Sequence, residues 1–128
     1  RIYSNKNIRV ILHNPVPPNE LINYYQAADC FILPSRNEGF NVSLIEATCC
    51  GLPAIVTDVG GNRLIVNSKK IGEIVEPNNP KSLANAIYFL VSNLHNYNRE
   101  YIRDNTIKRY DFSKLTNNLS SFYTDIIN

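Results

Sequence analysis

The sequence predicts an α/β domain, a Rossmann-like open parallel sheet with helices on both faces. Two observations predict it. Short apolar runs, rich in β-branched residues, recur at residues 8–12, 30–33, 54–57 and 71–75, the form that buried parallel strands take. Between them lie stretches with apolar residues at helical spacing, and Gly, Pro and Asn stand at the boundaries where one element stops and the next starts.

Residues 8–12 read as a buried strand, with His13, Asn14 and Pro15 as its exit loop. Pro17 and Pro18 lead into a helix with Asn19 as its expected N-cap and Leu21, Ile22, Tyr25 and Ala28 on its inner face. Asp29 marks the turn into the strand at 30–33, which Pro34 ends by removing a backbone donor. A polar loop follows at residues 35–39. Val42, Leu44, Ile45, Ala47 and Thr48 then suit a helix packed on the sheet, stopped by Gly51 in a left-handed conformation with Pro53 just beyond. Residues 54–57 form the next strand and feed a turn through Asp58, Val59, Gly60 and Gly61; residues 62–66 make a helical turn before the strand at 71–75. Asn79 caps a helix with Pro80 at its first position, running to about Leu94 with Leu83, Ala86, Ile87, Leu90 and Val91 inward. His95 and Asn96 break it, and two further amphipathic helices are expected over residues 97–109 and 113–127. Their aromatic residues, Tyr101, Tyr110, Phe112, Phe122 and Tyr123, read as packing. The basic Arg99, Arg103, Lys108, Arg109 and Lys114 read as a solvated face.

A chain of 128 residues, 44% apolar, holds one packed domain that buries about two-thirds of its unfolded surface if complete. Its net charge of +2 is too small to argue for nucleic acid as a partner. No apolar run approaches the ~20 residues of a membrane-spanning helix. Cys30, Cys49 and Cys50 fit neither a disulfide framework nor a metal-ligand spacing. An odd count with an adjacent pair fits a reducing compartment, and the thiols read as small buried apolar groups. With no methionine and Arg1 at its start, the chain is expected to be a piece of something longer.

Chemistry converges on the loops after residues 30–33 and 54–57, joined by a helix that starts inside the first loop. Ligands of open α/β sheets bind outside the carboxyl ends of such strands. The helix start leaves amides of residues 39–43 without intrahelical partners at the positive end of the helix dipole, which makes an anion site, most simply for phosphate. Glu38 and Glu46 flank it. A carboxylate beside phosphate is repelled, so each is expected to accept from neutral hydroxyls instead. Phosphate plus polyol hydroxyls suggests a nucleotide or a sugar nucleotide.

The stretch PSRNEGFNVSLIEA, with seven residues between Glu38 and Glu46, followed by GLPAIVTDVGG, resembles the carboxyl-terminal domain of the retaining GT-B glycosyltransferases of family 4, also called glycosyl transferases group 1. The likeness runs from the strand near Ile8 to the last helix. It implies that residues 1–128 are a partial C-terminal nucleotide-sugar-binding domain, part of one half of a GT-B fold. It implies an enzyme that transfers a sugar, with retention, from a nucleotide diphosphate sugar to an acceptor, the fragment alone being inactive. Glu38 would act at the catalytic centre by hydrogen-bonding donor-sugar hydroxyls, and Glu46 would hold the ribose. The amides of Gly39, Phe40 and Asn41 would receive the diphosphate, and Ser35, Gly60 and Gly61 would complete the donor-binding set. The loop after the first strand would lie near the base, which makes His13 and Asn14 candidate base neighbours, although a loop histidine with no partner in view reads first as incidental. No cofactor and no metal are expected, the substrate being a UDP- or GDP-linked sugar. The implied partners are that nucleotide sugar and an N-terminal domain of the same protein, with no nucleic acid. The implied location is cytoplasmic, with room for peripheral membrane contact.

Two departures qualify the likeness. The family often carries a glutamate three residues after its second glycine, where Leu64 stands here. Its arginine and lysine from an earlier loop, which neutralise the diphosphate, have no match. Leu64 motivates an alternative, a non-catalytic nucleotide-binding or assembly module with a degenerate site. The resemblance also implies six strands in the order 3-2-1-4-5-6, of which four are legible. The other two would lie between residues 8–12 and 30–33. That gap would be closed by the remaining strands, filled by another chain, or left to make the fold marginal.

Overall fold

The computed structural model describes residues 2–4, 8–111 and 113. In chain order the elements are β1 (Ile2–Ser4), β2 (Arg9–Ile11), α1 (Pro18–Ala27), β3 (Phe31–Leu33), α2 (Val42–Cys49), β4 (Ala54–Thr57), α3 (Asn62–Ile65), β5 (Gly72–Val75), α4 (Pro80–Ser92), a 3-10 turn (Leu94–Asn96) and α5 (Arg99–Tyr110). The helix expected over residues 113–127 lies outside the described residues but for Ser113. So do Phe112, Lys114, Phe122 and Tyr123.

The parallel sheet has the order β3-β4-β5, with Phe31 opposite Ala54 and Ala54 opposite Gly72. β4 is central and wholly buried. Successive residues of a strand face opposite sides of its sheet, and the two cores divide accordingly. Ala54 and Val56 pack with Leu44 of α2, Ile65 of α3 and Ile102 of α5. Ile55 packs with Val75 and with Leu90 of α4, joined by Leu83, Ala86 and Ile87. A third cluster, Tyr25 of α1 with Ala47 and Leu52, fixes α1 against α2. The open parallel sheet with helices on both faces is therefore the observed fold.

Punctuation operates as expected at α2 and α4. The Gly51 amide donates to the Thr48 carbonyl and the Leu52 amide to the Ala47 carbonyl, with Gly51 at φ +79°. This is a left-handed helix stop, and a Cβ there would meet the Arg99 carbonyl oxygen at 2.6 Å. Asn79 accepts from the Ser82 amide at 3.0 Å and Pro80 opens α4.

Four expectations are corrected. Residues 8–12 do not form a buried parallel strand: β2 pairs antiparallel with β1, Tyr3 opposite Val10, in a two-stranded sheet of its own, and Ile8, Val10, Ile11 and Leu12 are exposed. A partner a few residues away in sequence closes a short loop at low entropic cost, whereas the parallel sheet lies beyond α1. Asn19 does not cap α1. The cap position is Pro17, no side chain serves there, and Pro18 starts the helix with its φ already set. Ile22, Val42 and Val91, expected inward, are exposed. Arg99 and Arg109 are more than solvated charge, because Arg99 donates to the Ala28 carbonyl and Arg109 to the Leu64 carbonyl.

Candidate functional site

The carboxyl ends of β3 and β4 carry the two loops singled out by sequence, and α2 begins inside the first. Asn41 is the N-cap: its Oδ1 accepts from the Leu44 amide at 3.2 Å while its carbonyl accepts from the Ile45 amide. Val42 and Ser43 then present first-turn amides that a helix cannot satisfy internally, at the positive end of its dipole.

The loops are held together by backbone. The Gly61 amide donates to the Gly39 carbonyl at 3.0 Å. Gly60, at φ +52°, lies tight against the main chain of Glu38 and Gly39. Beneath them runs a polar network. The Ser35 hydroxyl donates to Glu38 Oε1 at 2.5 Å, and the Thr57 hydroxyl donates to the Ser35 carbonyl at 2.6 Å. The Asn62 side-chain amide donates to the Thr57 carbonyl at 3.0 Å. Asn41 Nδ2 in turn donates to Asn62 Oδ1 at 3.4 Å. Asn41, Thr57 and Asn62 are all buried, and buried polar groups that satisfy one another fix a single arrangement.

Of the residues expected to bind donor, Ser35, Glu38, Gly39, Asn41, Gly60 and Gly61 thus share one hydrogen-bonded or closely packed unit. Phe40 is exposed, its ring edge-on to Tyr110 at 5.9 Å between centroids. Tyr110 also donates to the Leu64 carbonyl at 3.1 Å, so the end of α5 braces the first loop and α3. Leu64 turns its side chain to solvent. Glu46 stands apart from the network. Its Oε2 accepts from the buried Tyr25 hydroxyl at 3.3 Å, and burial, with Glu46 beside it, raises the Tyr25 phenol above its ordinary pKa. Next to Glu46 opens a cavity of about 270 Å³ whose walls include Pro18, Leu21, Tyr25 and Cys49. His13 rests edge-on against Tyr24.

Arg63 forms a bidentate pair with Asp58, both contacts at 2.5 Å, and holds that carboxyl below its usual range. Thr57, Asn62, Tyr25 and Tyr110 are the supporting residues that sequence reasoning missed. A polar residue directly beside the Gly60–Gly61 turn is a faint signal for Asn62; nothing local marks the others.

An open parallel α/β sheet with helices on both faces and a joined pair of strand-end loops at its carboxyl edge defines the class of this domain. The chain belongs to the glycosyl transferases group 1 family, whose model matches residues 3–109. It is 40% identical over 77 residues to a D-inositol 3-phosphate glycosyltransferase of Corynebacterium jeikeium, an overlap of 60% of this chain and 18% of that one. It is 28% identical over 110 residues to the UDP-Gal:alpha-D-GlcNAc-diphosphoundecaprenol alpha-1,3-galactosyltransferase of Escherichia coli, covering 85% of this chain and 28% of that one. Among solved structures, the sucrose-phosphate synthase of Thermosynechococcus elongatus superposes with a TM-score of 0.74 at 27% identity, over 81% of this chain and 27% of that one. The chain therefore spans less than a third of the length of these proteins. Among the described residues, no helix is long and apolar enough to cross a membrane.

Proposed function

We propose that this chain is the donor-binding part of a retaining glycosyltransferase of family 4, which moves a sugar from a nucleotide diphosphate sugar, UDP- or GDP-linked, to an acceptor. The observation that carries the proposal is the start of α2, with Glu38 aimed from one side by Ser35 and Glu46 held on the other by Tyr25. The diphosphate lies on the amides at residues 39–43. As it departs, negative charge grows on its oxygens, and fixed amides at a helix start stabilise that charge without reorganising. Glu38 accepts from hydroxyls of the donor sugar, and its charge favours the positive character that develops at the anomeric carbon. Glu46 accepts from the ribose hydroxyls, and the base extends toward the cavity beside it. No metal is required at these residues. The acceptor site and the cations facing the phosphates come from another part of the protein, in keeping with the small share of each relative that this chain spans.

Titration of the chain with UDP and GDP to millimolar concentration tests this. The amide NMR signals of residues 39–43 should shift, and Glu46→Gln should weaken binding. Unchanged signals would end the donor reading. A second reading, a binding module without turnover, is favoured by Leu64, whose exposed aliphatic side chain stands where the resemblance expects a carboxylate. Nucleotide binding without sugar transfer by a protein carrying this domain would decide for it.

A further inference from the structure

The polar network has a hub that no motif marks. Thr57, the last residue of β4, is 4% exposed and works in two directions. Its hydroxyl donates to the Ser35 carbonyl at 2.6 Å, fixing the main chain from which the Ser35 hydroxyl reaches Glu38 Oε1. Its carbonyl accepts from Asn62, which takes the Asn41 amide and so fixes the cap of α2. One arm ends at the Glu38 carboxylate, the other at the helix start.

We propose that Thr57 is a positioning residue that sets the Glu38 carboxylate toward the donor sugar through Ser35, while its carbonyl arm independently sets the diphosphate-facing end of α2. The proposal rests on the donor reading above. Its physical basis is geometric. A Glu side chain on a loop has three rotatable bonds, and one short hydrogen bond aims it only if the donor's own main chain is held. Thr57 supplies that hold from the wholly buried central strand of the sheet, its own backbone paired with Val75 of β5. The two arms are chemically separable, since the hydroxyl can be removed while the carbonyl stays.

Thr57→Val removes the hydroxyl at nearly constant volume, and Thr57→Ser restores it. Affinities of the full chain are measured for UDP and UDP-galactose, UDP and UDP-glucose, and GDP and GDP-mannose. The unsubstituted chain should bind at least one nucleotide sugar more tightly than its bare nucleotide. In Thr57→Val that preference should fall roughly three- to tenfold, as expected for the loss of one anchoring hydrogen bond. Affinity for the bare nucleotide should change less, and Thr57→Ser should recover the preference. A preference that survives Thr57→Val, or equal losses for nucleotide and nucleotide sugar, would overturn the inference and leave the donor reading standing. Failure of the unsubstituted chain to bind any of these probes would overturn both. If Thr57→Val lacks a folded amide spectrum, Ser35→Ala cuts the same arm at its last link: it should abolish the preference, and a retained preference would overturn the inference.

Discussion

Gly60 touches Glu38 so closely that a Cβ on it would stand 2.1 Å from the Glu38 carbonyl oxygen. The β4–α3 turn is thereby seated directly on the loop that carries the first glutamate, and the Gly61 amide bond to Gly39 locks the pair. Only a residue without a side chain permits this approach, and φ +52° at Gly60 adds a second reason for glycine.

Gly60→Ala should therefore separate the two loops. Left-handed backbone strain alone costs on the order of 1–3 kcal/mol, and the backbone clash adds to it. The expected outcome is a lower melting temperature together with weakened nucleotide binding. Calorimetry and a nucleotide titration check this, and a variant that melts and binds like the original would show that the contact does not hold the loops.

Glu46→Gln keeps the shape of the side chain but removes the charge. Hydrogen bonds to a charged acceptor contribute about 1.5–3 kcal/mol, so nucleotide affinity should fall roughly ten- to hundredfold. Tyr25→Phe should cost only about two- to fivefold, because its bond to Glu46 is long at 3.3 Å and acts on the ribose only through the glutamate. The signature lies in the ligand: both variants should lose discrimination between UDP and its 2′-deoxy analogue. Retained discrimination would place the ribose elsewhere.

Asn41 and Asn79 are both N-caps, one buried in the site and one exposed at α4. Changing either to Ala should cost about 1 kcal/mol of stability. Asn41→Ala should cost more, because it also strips Asn62 Oδ1 of its donor. Only Asn41→Ala should weaken nucleotide binding. Paired melting curves and titrations of the two variants separate cap from site.

Alkaline pH should destabilise the fold through its thiols and phenols. Burial raises the pKa of Cys30, Cys49 and Cys50, and of Tyr25 and Tyr97, above their ordinary values. A folded-state pKa above the unfolded one means that the fold favours the neutral form. That contribution is complete below the unfolded thiol pKa of about 8.5 and is lost as pH rises through the folded values. Denaturant unfolding should give similar stability at pH 6 and 7.5 and a fall by pH 10. The Asp58 carboxyl, lowered by its bond to Arg63, acts in the opposite sense and matters only in acid. A stability that rises toward pH 10 would contradict the assignment.

Local signals carried the element order. The stop at Gly51, the cap and proline at Asn79 and Pro80, and the turn at Gly60 and Gly61 act within a few residues of themselves, and the structure has them in place. The burial of residues 8–12 was misread for the opposite reason. An apolar run announces that it pairs, but the choice of partner depends on what lies nearest when the chain collapses, and here that is β1. Ile22 and Val91 failed similarly, since helical spacing gives a face but not its width.

The sequence by itself determined the fold class, the two strand-end loops, the helix start between Glu38 and Glu46, and the family. All of these are written in contiguous residues whose effects are short-ranged. Only the tertiary structure decided which groups contact the two carboxylates and the cap of α2. Thr57 reaches Ser35 across 22 positions, and Asn62 meets Asn41, and Tyr25 meets Glu46, across 21. Side-chain hydrogen bonds act over about 3 Å of space and leave no periodic trace along a chain, so such partners come into view only when β3, β4 and α2 have been packed side by side.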